Sequence, residues 1–406
     1  MSATAADRDS RLLRPWLELA ASRAFGPYQT AVVRIGVSFT FLLYLLREIP
    51  ERHVLYGPDG PWGLDLAERA LAMSHAFTVL MWNDSDLWFE FVYALGIASC
   101  VAMLVGWRTR TATVLVMVMI VSFQARNQHL IGGGDNILRL AAIYLVLTRC
   151  GQVWSLDARR LTRVKGKATA KDGSRDIDRV GIALWLISGA ALAAATATGD
   201  LDGRGWTLGL WGMWALHGLW WALNRRGGVS EPRAIADMVA NLLHNAALLI
   251  LMAEVCLIYA TAGWYKIQGS LWQEGTAVYY SMRLDYFSPW PEISERLASN
   301  SLMVLLMTYG TVMVQVAFPF SLLNRRLKNV LLVALIGEHI AIGILLALPF
   351  FSMAMIAADI VFLPTAFLLA VDGRVRGLFR RIPPPRAGAE RETAQAEAAP
   401  PERQPA

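Results

Sequence analysis

Charge is scarce in this 406-residue chain: Asp, Glu, Lys and Arg make up 17% of it, hydrophobic residues make up 55%, and mean hydropathy is +0.40. A soluble protein of that size cannot cover so apolar a chain with polar surface, and a bilayer removes the need. Cysteine is scarce as well. Cys100, Cys150 and Cys256 lie within or beside apolar stretches and are odd in number, so no disulfide framework is implied and they read as packing residues. The sequence has no close Cys/His spacing of the zinc type, no GxxxxGK[ST] phosphate loop and no GxSxG elbow. Neither a metal centre nor nucleotide chemistry is expected. The net charge of +6 could suit nucleic acid, but the basic residues occur in short clusters between apolar blocks, so no nucleic-acid partner is expected.

Those apolar blocks are what the chain has in abundance. A membrane span takes roughly 20 mainly apolar residues, and that length picks out 28–47, 86–107, 111–126, 134–149, 180–198, 205–223, 238–265, 299–322, 328–348 and 351–371. The expected fold class is therefore all-α, a polytopic transmembrane helical bundle of about ten spans. Lys and Arg in short loops mark the cytoplasmic side. With the N-terminus inside, the clusters at Arg108/Arg110, Arg159 to Arg179, Arg225 to Arg233, Arg325 to Lys328 and Arg374 to Arg381 all fall inside. This predicts cytoplasmic N- and C-termini and a multi-pass protein of the cell membrane. No cleavable signal peptide is apparent, and Arg11 to Phe25 reads as an amphipathic interfacial helix. Three regions are expected. Residues 1–27 form a cytoplasmic amphipathic segment, 28–371 a membrane domain with the Trp-rich 180–223 as an inserted helical hairpin, and 372–406 a disordered cytoplasmic tail, Pro-, Ala- and Glu-rich from Ile382.

Ionisable groups at the bilayer centre cost roughly 2.5–3.5 kcal/mol or more, so each calls for a partner or a purpose. Depth along the expected spans places most of them in the outer half. Asp135 and Arg139 open the fourth span, Glu254 and Lys266 lie in the seventh, Glu338 and His339 in the ninth and Asp359 near the middle of the tenth. Each has a plain structural reading. Asp135 and Arg139, at i and i+4, could neutralise each other. Glu338 and His339 are about 100° apart on a helix, a poor arrangement for facing one small cavity together. Glu254 and Asp359 could serve structural hydrogen bonds, and Arg34, near the cytoplasmic end of the first span, is expected to snorkel to water.

Lys266 has the most telling surroundings. A lysine at a span end ordinarily reaches for water, but here Ala262-Gly263-Trp264-Tyr265-Lys266-Ile267-Gln268-Gly269 and the nearby Trp272 pack small residues, aromatics and an amine into one short stretch. Such walls suit an amine acting as a base near neutral pH. Tyr259, seven residues earlier, shares its helix face. The glycine-rich run Arg126-Asn127-Gln128-His129-Leu130-Ile131-Gly132-Gly133-Gly134-Asp135 either lets backbone approach a ligand closely or serves as a flexible loop. Together the two stretches mark an outer-face cavity of unnamed ligand.

At these residues the sequence resembles the HTTM (horizontally transferred transmembrane) family, membrane domains related to the membrane part of vitamin K-dependent γ-glutamyl carboxylase. RNQHLIGGGD (Arg126 to Asp135), WSLD (Trp154 to Asp157), IYATAGWYKIQGSLWQEG (Ile258 to Gly275) and EHIAIGILLALPFFSMAMIAAD (Glu338 to Asp359) carry the resemblance in matching order. It implies a reduced quinone of the vitamin K type as cofactor, oxygen as co-reactant and a peptide or protein substrate. The lysine of the AG-x-x-K stretch, here Lys266, would be the base, with His339 in support. The carboxylase has a histidine just before its tryptophan-serine pair where this chain reads Gly151-Gln152-Val153, and no counterpart of its large lumenal domain is recognised in these residues. Substrate recognition is thus expected to differ. The alternative is a non-catalytic membrane protein that binds lipid or quinone, or assists export or maturation of a partner protein.

Overall fold

The computed structural model describes residues 15–74, 76–168, 178–201, 204–225 and 231–381. Among the described residues every regular element is helical and no strand occurs. The principal helices of the first compact unit, which ends at Phe362, are α1 (Pro27–Glu48), α2 (Asp86–Val105), α3 (Thr109–Arg126), α4 (Gly133–Leu147), α5 (Arg179–Thr198), α6 (Arg204–Arg225), α7 (Glu231–Gln268), α8 (Ser301–Phe320), α9 (Arg325–Leu345) and α10 (Pro349–Asp359). Their starts follow from local chemistry. Pro27 and Pro349 sit in first turns, where a missing N–H costs nothing, and Ser85, Asn300 and Asn324 accept hydrogen bonds from first-turn amides.

Six helices, α1, α2, α5, α7, α8 and α9, are long and apolar enough to cross a membrane, and a seventh span results if the broken pair 349–362 and 365–377 counts as one. The chain therefore has the make-up of an integral membrane protein. The count is below the expected ten for physical reasons. At 15 residues, α4 rises about 22 Å against a hydrocarbon core of about 30 Å. Arg110 and Arg126 near the ends of α3, and the tryptophans, glycines and His217 along α6, make these helices less apolar than the six. The expected tenth span, 351–371, is interrupted by a 3-10 turn at Ile360–Phe362 followed by Pro364, whose missing N–H disfavours helix continuation.

In the first unit, α1 packs against α2, α4 and α10, α7 against α4 and α8, and α9 against α8 and α10. Phe123 meets Phe41, Tyr56 and Tyr93 edge-on at the centre of the α1–α3 packing. Arg34 does not snorkel: it is 0% exposed, and its guanidinium donates to the carbonyls of Met103, Leu104 and Trp154. The last carbonyls of α2 have no intrahelical donor, and Arg34 supplies one from the neighbouring helix. At the start of α3, Asp157 accepts from the amides of Arg108 and Thr109 at 3.0 and 2.7 Å.

Over the stretch 180–223 the structure has two helices in contact, α5 and α6. Trp185 and Trp214 stack at 4.1 Å, and each indole N–H donates to the other residue's backbone carbonyl at 3.1 and 2.9 Å. Before α5, Asp178 pairs with the Arg108 guanidinium and accepts from the Gly181 amide at 3.0 Å. The hydrogen-bonded arginine holds the Asp178 carboxyl down to about 2.

The second unit begins at Leu363 and contains α11 (Thr365–Arg381), with an Asp372–Arg376 ion pair of 3.0 Å across one turn. Of the tail expected over 372–406, residues as far as Arg381 are helical, and 382–406 lie outside the described residues. Within the expected N-terminal segment, 15–22 is helical, and residues 1–14 likewise lie outside them.

Candidate functional site

A cavity of about 810 Å³ is bounded by α4, α7, α8, α9, α10 and the segment following α7. Close helix contact builds its α7–α8 wall. A Cβ on Gly263 would lie 2.5 Å from a Val316 methyl, so any other residue there would have to displace Val316 for α7 to lie this near α8. One turn on, Lys266 Nζ donates to Gln315 Oε1 at 2.8 Å, and Gln315 Nε2 donates to Glu338 Oε1 at 2.6 Å. The ammonium also stands 5.2 Å from the Trp272 ring centre, within cation–π range. Lysine has three N–H donors, and this bond to Gln315 uses one.

A second polar cluster lies beside the first. Tyr259 donates to the Asp359 carboxylate, whose oxygens lie 2.9 and 2.8 Å away, and its hydroxyl is 3.0 Å from His339 Nε2. All three residues are buried, at 1%, 0% and 2% exposure for Tyr259, Asp359 and His339. With Asp359 ionised, the tyrosine's one hydrogen goes to it, the tyrosine oxygen accepts from Nε2–H, and His339 Nδ1 is left as a lone-pair acceptor. That nitrogen is buried and has no hydrogen-bond partner. Such an orphan costs free energy unless something supplies a donor.

Lys266, Tyr259, Trp272, Glu338 and His339 all line this one cavity. Glu338 and His339 do so despite being adjacent in sequence, because the cavity is wide enough to meet more than one side of α9. Asp359 touches it only through Tyr259. The other candidates stand elsewhere. Asp135 accepts from the Gly132 amide at 2.7 Å, capping its own helix, and borders a separate void of about 10 Å³ beside Tyr44 and Tyr56. Arg139 bonds Asn136 Oδ1 at 2.7 Å and does not pair with Asp135. Glu254 lies away from the cavity, its buried carboxyl oxygens without a hydrogen-bond partner.

In the glycine-rich run, Gly134 serves helix packing, a use outside the two expected. A Cβ on Gly134 would come within 2.8 Å of the Phe351 Cα, so this glycine admits a helix and not a ligand. Of the residues around it, Gly133 and Asn136 reach the cavity. Sequence reasoning missed Gln315. Its signal was a lone amide in the apolar run Val312-Met313-Val314-Gln315-Val316, which charge-based searching passes over. Among the described residues no group of three or more His, Cys, Asp or Glu side chains could hold a metal ion.

The lining is mostly aliphatic and aromatic, with an amine, an acceptor nitrogen, a carboxyl, amides and the hydroxyls of Tyr259, Ser281 and Thr311 as its polar points. Its volume falls within the range of roughly 300–1,000 Å³ usual for small-molecule sites. Comparison with protein-family models, with curated proteins and with solved structures found no match for this chain.

Proposed function

We propose that this chain is an HTTM-type multi-pass protein of the cell membrane, related to the membrane part of vitamin K-dependent γ-glutamyl carboxylase, that uses a reduced quinone and oxygen with Lys266 as base. The observation that carries this reading is that Lys266 and His339 border a single apolar cavity. The proposed topology has about ten spans, α3, α4 and α6 being short or less apolar ones, with both termini cytoplasmic. Under it, the Lys266 end of α7 faces the extracytoplasmic side.

The residues present suit a reduced quinone. An apolar wall accepts the ring and tail, Lys266 offers N–H donors, and the orphaned His339 Nδ1 can accept from a hydroxyl. When bound, the quinone would supply the group that reacts with oxygen. Lys266, unprotonated, would take a hydroxyl proton, and Glu338 would balance the resulting ammonium through Gln315. Tyr259, fixed by Asp359, would hold the His339 ring so that Nδ1 is the acceptor. A peptide or protein with an accessible glutamate is the proposed substrate.

The predominance of apolar lining favours a second reading, in which the protein binds lipid or quinone without turnover, or assists export or maturation of a partner protein. Purified protein in nanodiscs, supplied with a reduced naphthoquinone, oxygen, bicarbonate and a glutamate-containing peptide, separates the two. Mass spectrometry should find oxidised quinone product formed by the wild type, and its rate should fall on the order of 100-fold in Lys266→Ala. Bound quinone with no product, or product formation indifferent to Lys266→Ala, would favour the second reading.

A further inference from the structure

We infer that Gln315 is a positioning residue for Lys266, its amide joining the ammonium to the Glu338 carboxylate in one fixed orientation and holding the amine at the cavity wall without a direct ion pair. Gln315 is 5% exposed, so water does not compete freely for its amide. The orientation is dictated at both ends. Lysine only donates and an ionised carboxylate only accepts, so Oε1 must face Lys266 and Nε2 must face Glu338, at 2.8 and 2.6 Å. A flipped amide would set donor against donor and acceptor against acceptor.

The location of Gln315 follows from helix packing. Val316, its neighbour, is the residue that Gly263 admits, and the same close approach brings Gln315 within reach of a lysine one turn past Gly263. A carboxylate at position 315 would pair with Lys266 directly and favour the charged amine strongly in a low-dielectric site. A neutral amide favours it less and leaves further N–H donors for a ligand. The titratable groups facing the amine are Glu338 and His339 from α9 and Tyr259 from its own helix, with Asp359 of α10 behind Tyr259. The lining residues of α4, α8 and the segment after α7 contribute no carboxylate, imidazole or further amine.

This inference rests on Lys266 being the working amine of the cavity, and its test needs no substrate, so it can fail separately from the turnover reading. Full-length protein in nanodiscs is treated with an amine-acylating reagent across a pH series, and modification of the Lys266 peptide is followed by mass spectrometry. Gln315→Glu, nearly the same size, should move the midpoint of labelling up by about one pH unit. Gln315→Met, which removes the acceptor at similar volume, should move it down. Shifts of opposite sign from two variants of like size are not what a packing role produces, and thermal unfolding of each variant identifies any that is misfolded. No shift in folded Gln315→Glu, or shifts of the same sign in both variants, would overturn the assignment.

Discussion

Two stretches stand out in the sequence for similar reasons, glycine beside polar and charged residues at a helix end, and the structure puts them to different work. In Arg126–Asp135, Arg126, Asn127 and Asp135 hydrogen-bond the protein's own backbone. Arg126, 1% exposed, donates to the carbonyls of Gly57 and Trp62 at 2.6 and 2.9 Å, and Asn127 donates to that of Leu55 at 2.9 Å. They pin the segment joining α1 and α2, while Asp135 caps its own helix. In Tyr259–Trp272 the glycine draws α7 onto α8, and the polar groups meet other side chains around a cavity. Similar composition thus serves a scaffold in one place and a candidate site in the other: Arg126, Asn127 and Asp135 meet backbone, whereas Tyr259 and Lys266 meet other side chains.

That contrast can be broken by substitution. Arg126→Ala would strand buried carbonyls and should give the larger loss of stability, about 3 kcal/mol, with the Lys266 labelling profile unchanged in the protein that remains folded. Thermal unfolding of purified protein measures the first and amine labelling the second. A changed Lys266 profile would merge the two stretches into one functional unit. Gly263→Ala should cost less, about 1–3 kcal/mol, because a methyl must displace Val316. Its distinguishing effect is on the site: wider α7–α8 separation weakens the Lys266–Gln315 bond and should alter labelling even at temperatures where the fold is intact. A Gly263→Ala protein with wild-type stability and labelling would remove the close approach from the account.

Much of the architecture was legible in the amino-acid order because burial in a bilayer imposes length and hydropathy on each helix. The apolar runs behind α1, α2, α5, α7, α8 and α9 are readable one helix at a time. What escaped was contact between helices. Arg34 looked like a snorkelling residue because its sequence position near a span end is visible, whereas the carbonyls at the end of α2 that bind it are not. Asp135 and Arg139 looked like a pair by spacing, yet the Gly132 amide and Asn136 compete for them locally. Adjacent Glu338 and His339 read as a poor arrangement for facing one small cavity, since a helical wheel gives angles but not the width of the space they face. Lys266 and Tyr259, on one face of one helix, were the part of the site a sequence can specify. Gln315 and the Asp359 contact to Tyr259 depend on which helices pack together.

The central claim is that ligand binds in the Lys266 cavity, which the glycine-rich run meets only at Gly133. Photo-crosslinking with an azide-bearing naphthoquinone, followed by peptide mapping, tests it most directly. The account predicts adducts on 258–282, 306–315 and 334–355, competed away by unlabelled quinone. Competed adducts confined to 126–132, or to the α5–α6 hairpin, would contradict it.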